Sequence, residues 1–85
     1  MILEEAVKQA SNQLRKENIN SHQLDAELIL SDIMGVSREF LILNNELVIK
    51  NNTLKKYNFA IKRRVKREPV AYITGKKNFG AKIFL

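Results

Sequence analysis

The chain has 85 residues, a formal net charge of +6 and no cysteine. A chain of this length forms one domain with a modest core, and the lack of cysteine excludes disulfides and thiolate metal sites. The first ten residues, MILEEAVKQA, carry acids where a signal peptide carries bases, and no apolar run approaches the length of a membrane span. We therefore expect a cytoplasmic, monomeric domain that does not contact a membrane.

The N-terminal segment predicts an amphipathic helix. Apolar residues from Ile2 to Leu14 recur at helical spacing and define one stripe, with charged and polar residues opposite. The helix should end near Asn18, because asparagine tolerates the left-handed conformation that closes many helices. We expect this helix to bury one side only.

The next segment, NINSHQLDAELILSDIMGVS, predicts a second helix. It should start at Asn20 or Ser21, with a capping box between Asn20 and Gln23, and end at Gly35. Its apolar residues surround most of the helix, which is typical of an element contacted on several sides. We place this helix at the centre of the domain.

The remaining helices are shorter or more ambiguous. Ser37 is a candidate cap for a short third helix, whereas residues 46–52, ELVIKNN, fit either a helical turn or an extended connector. A fourth helix should begin at Asn51 and be ended by Pro69, followed by a short fifth helix capped by Gly75. The apolar stripe of the fourth helix consists of Leu54, Tyr57, Ile61 and Val65. The resulting fold class is an all-α bundle of four to five helices.

The charge is divided unevenly between the two parts of the chain. Residues 1–50 have a net charge of −3 and residues 51–85 a net charge of +9, with Glu68 the only acid after position 50. The asymmetry indicates an acidic partner, of which nucleic acid is the first candidate, or a compositional bias toward lysine, asparagine and isoleucine on solvated faces. The outer face of the fourth helix carries Lys55, Lys56, Lys62, Arg63, Lys66 and Arg67.

The sequence offers no convincing catalytic group. His22 is the only histidine, and nothing near it in the sequence suggests a nucleophile or an orienting partner, so we expect an ordinary exposed residue. Asp25 and Asp32 lie two helical turns apart on one strip, too far for paired acid–base work, and we expect both to be solvated. We therefore predict no catalytic, cofactor-binding or metal-binding residue.

Two stretches resemble a known family. The sequence REPVAYITG at residues 67–75, followed by KNF at residues 77–79 and preceded by LDAELIL at residues 24–30, resembles the amino-terminal domain of the HemK/PrmC family. Members of that family methylate a glutamine side-chain amide of peptide-chain release factors. In them, a helical bundle precedes a β-hairpin linker and a Rossmann-like domain that uses S-adenosylmethionine.

The resemblance implies a boundary near residue 75. Residues 1–75 would form the bundle, and residues 76–85 would start the hairpin linker to a methyltransferase domain. The family's catalytic Asn-Pro-Pro-Tyr motif and its cofactor loop have no counterpart here, so this chain by itself is expected to be non-catalytic, with S-adenosylmethionine bound only in the full-length enzyme. Residues implied at the junction are Pro69, Tyr72, Ile73, Gly75 and Phe79.

The resemblance also implies a release factor as the protein partner. The residues expected to bind it are Phe59, Arg63, Lys66 and Arg67 on the fourth helix. Phe59 remains open between a place in the core, which we favour, and a surface contact within a ring of cations. Alternative functions are a nucleic-acid-binding module that uses the same helix, which we rank lower, and a purely structural domain.

Overall fold

The computed structural model describes residues 1–75, so the predicted start of the hairpin, with Phe79, lies outside the described residues. The described chain forms five helices: α1 (Leu3–Lys16), α2 (His22–Met34), α3 (Arg38–Leu43), α4 (Asn51–Val65) and α5 (Val70–Ile73). Residues 1–75 contain no β-sheet, only one isolated bridge. The prediction of a small all-α bundle is confirmed.

Helix α2 lies at the centre of the bundle and contacts α1, α3, α4 and α5. Its apolar circumference explains this position, because a helix that is apolar on most sides is removed from water only when several elements cover it. Ala26, Ile29 and Leu30 are almost completely buried. The central position predicted for this helix is confirmed.

Helices α1 and α4 pack against α2 through the predicted stripes. The buried residues of α1 are Leu3, Ala6, Val7, Ala10, Ser11 and Leu14, and those of α4 are Tyr57, Ala60 and Ile61. Burying each large apolar side chain contributes about 1.5–3 kcal/mol. The Tyr57 hydroxyl also donates a hydrogen bond of 2.8 Å to the backbone carbonyl of Ala26, which sets the contact between α4 and α2.

Helices α1 and α2 end as predicted. Asn18 and Gly35, which follow them, have φ angles of 63° and 70° in the left-handed region. After α1, the N–H of Ile19 donates to the carbonyl of Leu14 (3.2 Å), and both side chains are buried. Such an apolar contact across the end of a helix stabilises the left-handed exit.

The end of α4 differs from the prediction. The helix ends at Val65, four residues before Pro69, because Arg67 adopts a φ of 73° and the N–H of Glu68 donates to the carbonyl of Arg63. A left-handed conformation costs roughly 1–2 kcal/mol for a residue with a Cβ. Proline therefore follows the turn without causing it, and side-chain contacts must hold the turn instead.

The predicted N-cap positions Ser21 and Ser37 are both confirmed, but only Ser37 caps its helix with its side chain. Ser37 caps α3, since its Oγ accepts a hydrogen bond from the N–H of Phe40 (3.1 Å). The capping box at the start of α2 is wrong, because the Gln23 side chain bonds to Glu27 and no side chain caps the helix. The Gln23 amide donates to the Glu27 carboxylate one turn further along the helix, whereas a capping box would require Gln23 to accept from the N–H of Asn20.

The open alternative for residues 46–52 is decided by position: residues 46–50 form a non-helical connector between α3 and α4, and residues 51 and 52 begin α4. The N–H of Leu3 donates to the carbonyl of Leu47 (2.7 Å), and the N–H of Ile49 donates to the carbonyl of Met1 (2.8 Å). Ile49 is buried in the core. The connector thereby holds the start of α4 beside the start of α1.

We predict that Tyr57→Phe lowers the free energy of unfolding by about 1 kcal/mol, because it removes one buried hydrogen bond and keeps the ring. Urea denaturation measures the change. The control is Phe59→Leu on the same helix, where an exposed apolar residue is exchanged and the change should stay within about 0.5 kcal/mol. Equal losses in the two variants would contradict the role given to the Tyr57 hydroxyl.

Candidate docking face and domain junction

Phe59 lies on the solvent side of α4, with 66% of its surface exposed. Tyr57 and Ile61 on the opposite side are buried, because α4 is a peripheral helix that meets the rest of the bundle on one side only. The interpretation of Phe59 as a core residue is therefore wrong. An exposed aromatic ring on a charged helix is a candidate contact.

Four lysines surround Phe59. At about 100° per residue, they lie within roughly 60° of Phe59 around the helix axis. All four are exposed, and within residues 1–75 no ion pair forms with them. We call Phe59 and these lysines the α4 basic face; the lysines are Lys55, Lys56, Lys62 and Lys66. Helix α4 contains no acidic residue that could neutralise them.

Arg63, predicted to bind a partner, already has one inside the domain. Its guanidinium makes two hydrogen bonds to the Glu68 carboxylate, from Nε to Oε1 (2.9 Å) and from Nη2 to Oε2. Arg63 lowers the pKa of the Glu68 carboxyl from its ordinary value through these hydrogen bonds, and the same bonds raise the pKa of Arg63. The positive charge of Arg63 is thus balanced locally.

Arg67 is also used inside the domain. Its Nη2 donates a hydrogen bond of 2.6 Å to the backbone carbonyl of Glu17, directly after α1. This contact joins the end of α1 to the turn after α4 and favours the left-handed conformation of Arg67. Among the predicted partner-binding residues, the side chains of Phe59 and Lys66 are therefore the ones that make no polar contact within residues 1–75.

Sequence reasoning missed the ion pair between Asp25 of α2 and Arg64 of α4. Arg64 Nε donates to Asp25 Oδ2 (2.8 Å), which also accepts from the Ser21 hydroxyl (2.8 Å). Asp25 is only 4% exposed, so its predicted place on a solvated strip is wrong. Asp32, the other member of that strip, is half-buried.

A signal for this pair is present in the sequence. Arg64 follows Tyr57 by seven residues and therefore lies within the apolar stripe of α4, while Asp25 precedes Ile29 by four and lies on a buried side of α2. A charge within a buried stripe is tolerated when it is paired. Opposite charges in the stripes of two packed helices predict a buried ion pair.

The predicted junction begins at Pro69, whose φ is −60°, and continues into α5. Ile73 packs against the core together with Val70, whereas Tyr72 lies on the exposed side of the helix. Gly75 has a φ of 73°, a left-handed conformation that suits glycine. The described chain therefore leaves the bundle from a helix that is anchored on one side.

His22 does have a partner, contrary to the prediction of an ordinary exposed residue. Its Nδ1 is 2.7 Å from the hydroxyl oxygen of Ser11, and His22 itself is half-buried. The pair borders a cavity of about 430 Å³ between α1, α2 and α3. Ser11 is only 4% exposed, and its contact with His22 joins α1 to α2. Within residues 1–75 no carboxylate is hydrogen-bonded to the imidazole, so the pair lacks the third group of a catalytic triad there.

Residues 1–75 contain no group of histidine and acidic side chains arranged to hold a metal ion. None of the helices found there has the length and apolar character needed to cross a bilayer.

We predict that the stabilisation from the Arg63–Glu68 pair depends on pH. The lowered pKa of Glu68 means that this contribution is present above the pKa of the unfolded carboxyl and is lost as the pH falls through the lower folded value. The stability difference between the native chain and Glu68→Gln should therefore be largest near neutral pH and shrink toward about pH 3. Urea denaturation at several pH values tests this; a difference that stays constant would contradict it.

Comparison with known proteins agrees with the resemblance. A family model described as the PrmC N-terminal domain matches residues 5–75. A release factor glutamine methyltransferase of Leptospira interrogans is 36% identical over 78 residues, which cover 92% of this chain and 27% of the relative. The corresponding protein of Coxiella burnetii is 38% identical over 77 residues, 91% of this chain and 27% of the relative.

A longer relative matches over nearly the whole chain. A bifunctional methyltransferase of Rickettsia felis is 30% identical over 83 residues, 98% of this chain and 16% of the relative. The chain thus spans about a quarter or less of the length of these relatives. No solved structure gave a significant match. A family model that covers most of the chain, together with these relatives, shows that the chain belongs to the family of PrmC N-terminal domains.

Proposed function

We propose that residues 1–75 form the substrate-recognition domain of a release factor glutamine methyltransferase. In this proposal the bundle itself does no chemistry, and S-adenosylmethionine is used by a methyltransferase domain of the full-length enzyme. The names of the relatives support the reaction. The observation that supports recognition is the α4 basic face, where an exposed aromatic ring lies among lysines that form no ion pair with any of residues 1–75.

A separate recognition domain is useful for this reaction for a physical reason. The reacting group is one side-chain amide, which offers few atoms to grip. Binding energy from remote contacts can be used to hold such a group in a reactive geometry, which lowers the entropic part of the barrier. A bundle outside the active site is a suitable source of those contacts.

The chemistry of the α4 basic face indicates the kind of surface that it fits. Phe59 offers apolar area that would be removed from water on binding, and aromatic residues of this type often supply much of the binding energy. The lysines steer an acidic partner and speed its association. The partner surface should therefore be an acidic patch of the release factor with an apolar side chain at its centre. Arg63 and Arg67 contribute less, because their charges are engaged within the domain.

We predict that Phe59→Ala and Lys55→Glu in the full-length enzyme each raise KM for the release factor, with about a tenfold effect for Phe59→Ala. The value of kcat should change little, because the lost contacts are equally present in the ground state and in the transition state. Steady-state methylation kinetics measure both quantities. Lys8→Glu is the matched control: it makes the same charge reversal on the exposed side of α1 and should leave KM unchanged.

The outcomes separate recognition from the other functions. Unchanged KM in both variants of the α4 basic face would contradict docking at this face and favour a purely structural domain. If the 85-residue chain instead bound RNA or duplex DNA with an affinity that falls steeply with salt, and did not bind the release factor, the nucleic-acid alternative would replace the proposal.

A further inference from the structure

Arg64 contacts two separate parts of the domain at once. On one side its Nε bonds to the buried carboxylate of Asp25 in α2. On the other side its Nη1 donates a hydrogen bond of 3.2 Å to the backbone carbonyl of Glu68, beyond the end of α4. A single guanidinium therefore ties the backbone of the exit segment, residues 66–69, to the central helix.

The exit segment is held at nearly every residue. Besides its carbonyl, Glu68 is held by its N–H, which donates to the carbonyl of Arg63, and by its carboxylate, which accepts from the Arg63 side chain. Arg67 is held by its bond to the carbonyl of Glu17. Pro69 follows directly and restricts φ by its ring. The chain thus passes from α4 into α5 in one fixed direction.

We propose that Arg64 is a positioning residue, which fixes the exit segment against α2 and so sets where a following methyltransferase domain lies relative to a release factor bound on the bundle. This inference rests on the proposed function and deepens it. The α4 basic face docks the release factor, and Arg64 sets the orientation of the domain that follows. The two roles lie on different sides of α4: the lysines face solvent, and Arg64 faces the bundle.

The choice of arginine at this buried position supports the inference. An ion pair taken out of water gains little net stability over well-packed apolar residues, so stability alone does not require a charge here. A guanidinium has five donors in a fixed planar arrangement and can bond to groups on two sides, whereas an ammonium is a point charge on a flexible stem. Only a guanidinium therefore suits a link that joins a carboxylate on one side to a backbone carbonyl on the other at defined angles.

Arg64→Lys in the full-length enzyme tests this role, because lysine keeps the charge for Asp25 but gives up the two-sided geometry. Two substrates are compared, the intact release factor and a short peptide that carries the glutamine but cannot reach the bundle. With the release factor, kcat should fall about tenfold while KM stays within about twofold, because docking is kept and orientation is lost. With the peptide, kcat/KM should not change.

Two control variants separate orientation from stability. Arg15→Lys makes the same exchange at an exposed position whose side chain, within residues 1–75, bonds to Asn12 alone, and it should have no effect. Ser21→Ala removes one hydrogen bond to Asp25 without touching the exit segment. It should lower the free energy of unfolding and leave kcat for the release factor unchanged. An equal fall of kcat in Ser21→Ala and Arg64→Lys would overturn the inference.

Hydrogen exchange in the 85-residue chain gives a readout that does not depend on activity. In Arg64→Lys, the amides of Glu68, Tyr72 and Thr74 should exchange about tenfold faster, while those of α1 keep their protection. Unchanged exchange, or unchanged kcat for the release factor, would overturn the positioning role. A failure of the proposed function would give a different result. The native enzyme would methylate the peptide and the release factor with equal efficiency. Hydrogen exchange would still show whether Arg64 holds the exit segment.

Discussion

Helix α2 carries apolar side chains on most of its circumference, and the chain removes that surface from water by placing the other four helices around it. At 85 residues there is little other apolar surface to bury, so the position of each helix follows from which side of α2 it covers. The peripheral position of α4 is a consequence. One side of α4 packs on α2 and α1, so the opposite side, which carries Phe59, is left in water.

The same arrangement explains how charges are divided on α4. Lysines occupy the solvent side, where an ammonium on a long stem keeps its hydration. Arginines occupy the last turn and the exit segment, where each bonds to another part of the domain: Arg63 to Glu68, Arg64 to Asp25 and Arg67 to the carbonyl of Glu17. Positive charges there also interact favourably with the negative end of the helix dipole. The basic composition of this part of the chain therefore has two separate physical uses.

The ends of the helices show two ways to stabilise the same turn. After α1 the contact across the turn is apolar, between Leu14 and Ile19, which are both buried. At the corresponding positions after α4 stand Arg63 and Glu68, and an ion pair takes the place of the apolar contact. The backbone hydrogen bond is equivalent in the two turns, from Ile19 to Leu14 and from Glu68 to Arg63. The turn after α4, at the edge of the bundle, is therefore held by charged side chains, and the turn after α1 is held by buried apolar ones.

By itself, the sequence determined the features that depend on neighbouring residues: the helices, the left-handed exits at Asn18 and Gly35, the cap at Ser37 and the central place of α2. Its motifs also indicated the family. Only the tertiary structure decided that Phe59 faces water and that Asp25 is buried against Arg64, 39 residues away in sequence. The physical reason is that periodicity identifies the two sides of a helix, whereas the partner of each side chain depends on which helices meet and at what angle.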